Sequence, residues 1–167
     1  MAPARGSHGI RGADAVLVYS NAMPLRMPFR SIQRVYFDDL DALNILHNVR
    51  FLLFMERARG ELLLELGFRW EDDIAVNPDK YHVVAEHQIK YLAPVRGEGE
   101  LEIALQPTHL GRSSAILNAK VKSRHGDVLH AEATTRLVRL DPVTQKPCSW
   151  SDRFRAAYGP LVAPPPK

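Results

Sequence analysis

Asp41 and Asn48 have residue types and a spacing that allow them to act together on a carbonyl group. Asn48 begins a segment rich in strong helix formers, and the first N–H groups of a helix have no acceptor within it. Those groups and the helix dipole can stabilise negative charge on a carbonyl oxygen, while a carboxylate on the preceding loop acts as base or nucleophile without a metal. Asp38 and Asp39 lie closer to the preceding strand, where acids are commonly solvated turn residues or partners of a helix dipole.

Three polar residues near this helix start each have more than one interpretation. Asn48 is a favourable N-cap, and its side-chain amide is equally suited to donate to a substrate or a water. His47 is adjacent and could tune the site, although a loop histidine is expected to face solvent. Glu56 is a second carboxylate, on the helix itself, although an i,i+3 ion pair with Arg59 or a pair across a dimer interface explains it.

His87 and Cys148 are further residues with potential chemistry. His87 shares strand parity with Val83, Ala85 and Ile89, which predicts an inward-facing histidine satisfied within the core. Cys148 is the only cysteine, so it cannot form a disulfide within the chain. The sequence has no HxH, HExxH or CxxC spacing, and we expect neither structural zinc nor a resident cofactor.

Composition narrows the class of protein. The 167 residues, 46% hydrophobic and 25% charged, suffice for one domain with a real core. The net charge is only +3, and the 22 basic residues are interspersed with 19 acidic ones, which argues against nucleic-acid binding. Apolar runs stay well short of the ~20 residues that a membrane span needs. The single cysteine and the absence of a signal-type apolar region favour a cytoplasmic protein.

A long helix is predicted from about Asn48 to Leu66. Its apolar residues follow helical spacing, and Leu53 and Leu64 lie on the opposite side, which predicts a helix enclosed by other elements. Gly67 suits the C′ position just beyond the helix. Residues 30–37 predict a preceding strand, and four long strands follow, over residues 81–91, 98–109, 112–124 and 127–140.

These strands predict an antiparallel meander. In residues 112–124, odd positions are apolar and even positions polar, so one face meets a core. Turn residues at Leu110-Gly111 and His125-Gly126 predict hairpins, with another bend at Arg96-Gly97. The fold class is therefore α+β, with the sheet curled around one long helix. A short last helix is predicted with Ser149 or Ser151 as cap and Phe154 as anchor. Residues 1–27 are interpreted as a flexible leader, residues 28–160 as the domain and residues 161–167 as a Pro-rich tail.

The run VYFDDLDALNILHNVRF at residues 35–51, followed by FMERAR at residues 54–59, resembles acyl-CoA thioesterases of the 4-hydroxybenzoyl-CoA thioesterase type. The strand lengths and order fit this hot-dog family from about Met27 to Tyr158. The resemblance implies hydrolysis of an acyl-CoA thioester, with Asp41 as the catalytic carboxylate and the N–H of Asn48 or Val49 polarising the carbonyl. The chain departs from the family at Leu43-Asn44-Ile45, where many members carry Gly-Gly or a His. This departure keeps a non-catalytic acyl-CoA binding module or sensor as the alternative.

The family also implies a homodimer, or a dihedral homotetramer, with active sites at the interface between protomers. The substrate is expected to be an acyl-CoA or an acyl group on acyl carrier protein. Hydroxyl and guanidinium groups can hold pantetheine or phosphates, although a solvated strand face explains them as well. The candidate substrate contacts are His47, Phe51, Glu56, Arg96, Arg112, Ser113 and Ser114, and the row Lys120, Lys122 and Arg124 is another.

Overall fold

One antiparallel sheet and a long helix make up the fold of residues 25–164, which the computed structural model describes. The elements in chain order are β1 (Phe29–Val35), α1 (Asn48–Glu65), β2 (His82–Tyr91), β3 (Gly99–Leu110), β4 (Ser114–Ser123), β5 (Leu129–Arg139) and α2 (Asp152–Tyr158). The predicted strands are present, with ends that differ by one or two residues. The predicted α+β class and the hot-dog arrangement are confirmed.

The core lies between one face of the sheet and α1. Phe54, Ala58 and Leu62 of the helix are fully buried and pack against the inward side chains of β3, β4 and β5: Leu101, Ile103, Leu105, Leu117, Ala119, Val121, Ala131 and Ala133. The predicted alternation along β4 is thereby confirmed. Burial of each large apolar side chain contributes about 1.5–3 kcal/mol. Leu64 is 53% exposed, so within the described chain α1 is not enclosed on every side as predicted.

The helix ends follow local sequence signals, with one exception. Gly67 has a φ of 82°, the left-handed conformation predicted for the C′ position. The predicted N-cap was wrong: His47 is the N-cap, with extended backbone, and Asn48 is already the first helical residue. At α2, Ser151 is the cap, because its Oγ accepts the N–H of Phe154 at 3.1 Å.

The strand order is β1-β3-β4-β5-β2, which differs from a simple meander. The two predicted hairpins, β3–β4 and β4–β5, are confirmed. The predicted continuation through Arg96-Gly97 is wrong, because β2 pairs with β5 and not with β3. β1 pairs along its full length with Gly99–Leu105 of β3 and takes the place beside β3, while β2 joins the sheet at the far side, beyond β5. Residues 92–98, the crossing segment, therefore run across one end of the sheet.

A bulge in β2 changes which side chains face the core. The pairing with β5 shifts register between Val84 and Glu86. Val83 and Ala85 are exposed, whereas His87 and Ile89 are partly buried on the inner face. The inward orientation predicted for His87 is confirmed, but its shared parity with Val83 and Ala85 was wrong, because the bulge inserts a residue and interrupts the alternation.

Both ends of the described chain pack on the domain. Leu25 and Met27 lie against the main core, while the rest of the predicted leader, residues 1–24, is outside the described residues. At the other end, the N–H of Ala163 donates to the carbonyl of Pro107 at 2.9 Å, so packing extends past residue 160. No α-helix within residues 25–164 has both the length and the apolar character needed to span a bilayer.

Candidate active site

The crossing segment brings the Asp41 loop and the end of β2 together. The N–H of Leu46 donates to the carbonyl of Val95 at 2.9 Å, and the N–H of Gly97 donates to the carbonyl of Asn44 at 3.1 Å. An isolated bridge joins Ile45 to Arg96. The loop that leads into α1 is therefore attached by backbone hydrogen bonds to the segment that leaves β2.

Asp41 is held by its own loop through one carboxylate oxygen. Oδ1 accepts the N–H of Leu43 at 2.8 Å and the N–H of Ile45 at 3.1 Å, and the N–H of Asp41 donates to the carbonyl of Ile45 at 2.8 Å. Oδ2 accepts no hydrogen bond from residues 25–164, and the side chain is exposed. The loop therefore orients the carboxylate and leaves one oxygen available to a ligand or a water.

Asn44 accounts for the departure of this loop from the family pattern. Its φ is 58°, in the left-handed region where glycine is favoured and asparagine is the best tolerated alternative. Its N–H donates to the carbonyl of Asp41 at 3.0 Å, which closes the turn. The asparagine thus supplies the backbone conformation that a glycine would supply, and the tight turn around Asp41 forms without one.

The start of α1 presents unpaired N–H groups next to this loop. The helix has no side-chain cap, and the N–H of Arg50 is the first to find an acceptor, the carbonyl of His47 at 2.8 Å. The N–H groups of Asn48 and Val49 precede it and have no acceptor within the helix. The positive end of the helix dipole adds to their attraction for a carbonyl oxygen that gains negative charge.

Asp39 holds the start of α1 in place through contacts with Arg50 and His47. It is only 6% exposed, and its Oδ1 lies 3.1 Å from Nε of Arg50. Its Oδ2 accepts the N–H of Tyr36 at 2.9 Å, and its carbonyl accepts the N–H of His47 at 2.9 Å. Asp39 is thus a structural residue at the helix start; of the two predicted alternatives, the solvated turn acid is wrong because the side chain is buried. Asp38 is exposed, and only its carbonyl is engaged, by Arg50 at 3.1 Å.

An open cleft of about 470 Å³ lies between these elements. One side is formed by the Asp41 loop and the helix start, and the other by the end of β2 and the crossing segment. The lining is largely apolar; its residues are Asp41, Ile45, Leu46, His47, Asn48, Phe51, Tyr91, Leu92, Ala93, Pro94 and Val95. The predicted residues Asp41, His47, Asn48 and Phe51 are thus brought together. His47 is exposed, as predicted, and Val49 follows on the first helical turn.

Tyr91 and the crossing segment were not identified from the sequence. The hydroxyl of Tyr91 donates to the carbonyl of Asn48 at 3.3 Å, and its ring meets that of Phe51 edge-on, with centroids 5.3 Å apart. Tyr91 thus connects the edge strand to the helix start. A sequence signal did exist, since Pro94 marks the end of a strand, but it does not reveal where the next segment runs.

Glu56 lies outside the cleft, eight residues and about 12 Å further along α1 than Asn48. Both of its carboxylate oxygens accept from the Arg59 guanidinium, one of them at 2.8 Å, as the sequence predicted. Its Oε1 is also 3.6 Å from Nε2 of His87, whose Nδ1 is 2.9 Å from the hydroxyl of Thr135. Burial lowers the pKa of both Arg59 and His87. Glu56 is therefore engaged as an ion-pair partner.

The other predicted contacts are separated from the cleft in this chain. Arg96 joins the Asp41 loop through its backbone, but its side chain is exposed and outside the lining. Arg112, Ser113 and Ser114 follow the far end of β3, about 35 Å from the end near the cleft. In the basic row, two residues pair with acids across the strands: Lys120 with Glu132 at 3.3 Å and Arg124 with Glu100 at 3.2 Å.

The described residues also contain no group of three or more His, Cys, Asp or Glu side chains arranged to hold a metal ion. The cleft itself contributes one carboxylate, one imidazole and a helix start to the chemistry. A carboxylate with one free oxygen beside unpaired helix amides can attack a carbonyl carbon, directly or through a water, while the amides hold its oxygen.

Comparison with known proteins shows the family of this chain. The model of the Thioesterase superfamily matches residues 43–130, just over half of the chain. The acyl-CoA thioester hydrolase YbgC of Escherichia coli O6:H1 is 30% identical over 119 residues, which cover 71% of this chain and 87% of that protein. The acyl-CoA thioesterase YbgC of Haemophilus influenzae is 23% identical over 125 residues, which cover 75% and 90% of the two chains.

Solved structures share the fold. A 1,4-dihydroxy-2-naphthoyl-CoA thioesterase from Synechocystis superposes with a TM-score of 0.72 at 19% identity, over 81% of this chain and 98% of that one. A thioesterase from Thermus thermophilus, solved with coenzyme A and zinc, has a TM-score of 0.69 at 27% identity, over 83% and 97%. The chain belongs to the Thioesterase superfamily, and its predicted resemblance to the hot-dog acyl-CoA thioesterases is confirmed.

Proposed function

We propose that this chain hydrolyses acyl-coenzyme A thioesters to the free acid and the thiol, with Asp41 as the catalytic carboxylate. The observation that carries the proposal is the Asp41 side chain, which is fixed through Oδ1 and has no hydrogen-bond partner at Oδ2 among the described residues, in the same cleft as the start of α1. The family and the 30% identical acyl-CoA thioester hydrolase YbgC support this activity.

In the proposed reaction, the thioester carbonyl oxygen accepts hydrogen bonds from the N–H groups of Asn48 and Val49. Asp41 removes a proton from a water as the water oxygen bonds to the acyl carbon. The carbon–sulfur bond then breaks, and the coenzyme A sulfur leaves with its electron pair and takes up the proton. Oδ2 can instead bond to the acyl carbon itself; the carbon–sulfur bond breaks, the coenzyme A thiolate leaves and takes a proton from water, and hydroxide or a second water then hydrolyses the resulting acyl anhydride, which restores the carboxylate.

The amides contribute because they are already oriented where the oxyanion forms. Removal of a single such donor from an enzyme typically costs about 10²–10³ in kcat. Tyr91 and Asp39 hold this helix start through the carbonyl of Asn48 and the N–H of His47. The base, the hydrogen-bond donors to the oxyanion and the residues that hold the helix start thus all come from the protein. The proposal assigns no resident cofactor.

The substrate is proposed to be a coenzyme A thioester, with acyl carrier protein as the alternative carrier. The thioesterase of Thermus thermophilus, solved with coenzyme A, supports the first choice. His47 and Phe51 are proposed substrate contacts because they line the cleft. The remaining candidate contacts lie outside the cleft of their own chain. They could touch the substrate only beyond that cleft or from another protomer; these residues are Arg96, Arg112, Ser113, Ser114 and Glu56.

The proposed assembly is a homodimer or homotetramer in the cytoplasm. β2 is a terminal strand of the sheet, ten residues long, and pairs only with β5 in the described chain. An exposed strand edge favours pairing with another chain. Tyr91 and Leu92, at the end of this strand, are half-exposed apolar residues of the cleft, so a partner there would cover the site.

The test is release of free thiol from a panel of short, long and aromatic acyl-CoAs and from an acyl carrier protein thioester. Wild-type protein should release thiol from at least one of them, and Asp41→Asn should lower kcat on that substrate by about two to four orders of magnitude. Binding of every acyl-CoA without thiol release would favour the sensor alternative. Light scattering of the same preparation measures the assembly.

A further inference from the structure

His130 departs from the alternation of β5 and points into the domain. β5 pairs with β4 through Val121↔Ala131 and then Lys122↔Leu129, so His130 is the extra residue of a bulge. His130 and Ala131 are consecutive, yet both are buried, with His130 only 6% exposed. A bulge re-aims a side chain and is found more often than average beside active sites.

Both ring nitrogens of His130 have partners. Nδ1 lies 3.2 Å from the carbonyl of Ala93, so this nitrogen carries the proton and donates. Nε2 lies 2.7 Å from the hydroxyl of Ser123, and it accepts from that hydroxyl in the neutral ring. The backbone of His130 adds to the attachment, because its carbonyl accepts the N–H of Leu92 at 2.8 Å and that of Ala93 at 3.3 Å.

The partner that matters is Ala93, which lines the cleft together with Leu92, Pro94 and Val95. Two residues later, the carbonyl of Val95 accepts the N–H of Leu46 from the opposite side of the cleft. Among the described residues, the crossing segment pairs with another segment only through the isolated bridge between Arg96 and Ile45, and it is otherwise held by such individual bonds. The His130 ring is the one side chain of the described residues that hydrogen-bonds its wall-forming part, residues 92–95.

We propose that His130 is a positioning residue of this enzyme, which fixes the wall of the acyl-CoA cleft by donating from Nδ1 to the carbonyl of Ala93. The proposal rests on the proposed function. It acts on substrate binding, since Ala93 lines the cleft, whereas the bonds from the Asp41 loop reach the crossing segment at Val95 and Gly97 and the Asp41 carboxylate is held within its own loop. Its signature is a rise in KM larger than any fall in kcat.

The test compares His130→Asn with His130→Gln. The amide nitrogen of asparagine can take the place of Nδ1 and keep the bond to Ala93, whereas glutamine reaches toward Ser123 and loses it. His130→Gln should raise KM for the best acyl-CoA about tenfold, equivalent to about 1.4 kcal/mol, the size of one hydrogen bond to a buried group. His130→Asn should keep a KM close to that of wild type.

Two controls separate positioning from stability. Ser123→Ala removes the Nε2 partner and leaves the bond to Ala93, so it should lower the melting temperature without raising KM. His125→Gln changes an exposed histidine of the β4–β5 hairpin and should alter neither. A wild-type KM in His130→Gln overturns the proposal. A rise in KM in both His130→Asn and Ser123→Ala that is as large as the rise in His130→Gln overturns it as well.

Amide hydrogen exchange gives a readout that does not depend on turnover. Peptides spanning residues 92–98 should exchange faster in His130→Gln than in His130→Asn, while peptides from β3 are unchanged. Equal exchange in the two variants contradicts the proposal even if the protein hydrolyses no thioester. Absence of thiol release by wild type, with faster exchange in His130→Gln, contradicts the proposed function and leaves the wall attachment supported.

Discussion

Replacement of Asp41 by asparagine separates the chemical role of this carboxylate from its role in the loop. Oδ1 accepts two backbone N–H groups, and Oδ2 accepts none from residues 25–164. An asparagine can keep its Oδ1 on the same two amides and place an NH₂ group where Oδ2 was. The turn should therefore persist, while the group that takes a proton or attacks the carbonyl carbon is lost.

The two expected magnitudes differ widely. Loss of a general base typically lowers kcat by about 10²–10⁴, which corresponds to about 3–5 kcal/mol in the barrier. The hydrogen bonds lose only their charge assistance, about 1 kcal/mol in the free energy of unfolding, or about 2–4 °C in melting temperature for a domain of this size. The activity should thus fall far more than the stability.

The assay is thiol release under saturating acyl-CoA, with the melting temperature measured on the same samples. Asp38→Asn is the matched control, because it makes the same change in the same loop at a side chain without a hydrogen-bond partner in the described chain. It should retain wild-type kcat. A kcat for Asp41→Asn within about tenfold of wild type, with a native melting temperature, would refute the assignment of Asp41.

Three further predictions test the supporting structure. Asn44→Val places a β-branched residue at a φ of 58° and should destabilise the protein by about 1–3 kcal/mol in urea unfolding, whereas Asn44→Gly should be nearly neutral. Glu56→Gln should leave kcat within about threefold of wild type but lower stability by about 1–2 kcal/mol, since it weakens the ion pair with Arg59; a kcat loss of two orders of magnitude would instead make Glu56 catalytic. Burial lowers the pKa of His82, whose Nδ1 donates to the carbonyl of Asp79 at 2.7 Å. As the pH falls, His82 is therefore protonated in the unfolded chain before it is protonated in the folded chain. The free energy of unfolding should be constant with respect to this group above a pH of about 6.5 and should decline below it. His82→Gln should flatten this decline, and an unchanged pH profile would contradict the assignment.

The sequence alone was sufficient for the elements whose signals are local. The helical spacing of apolar residues predicted α1, and Gly67 was correctly placed just beyond its end. The alternation along β4 identified its buried face. Asp41 was selected mainly through the resemblance to the 4-hydroxybenzoyl-CoA thioesterase type, with which the chemistry of a carboxylate near helix amides agrees, and the structure places both in one cleft.

Tertiary structure alone decided what the helix start faces. The edge to which β2 attaches depends on which neighbours β3 and β5 already have, and that competition among strands distant in the chain leaves no periodic trace in β2 itself. The crossing segment became the wall of the cleft only because β2 went to the far edge. The bulge that turns His130 toward Ala93 breaks the two-residue period on which strand predictions depend. Local periodicity thus determines the elements and their buried faces, whereas the pairing of distant edges determines which residues meet in the site.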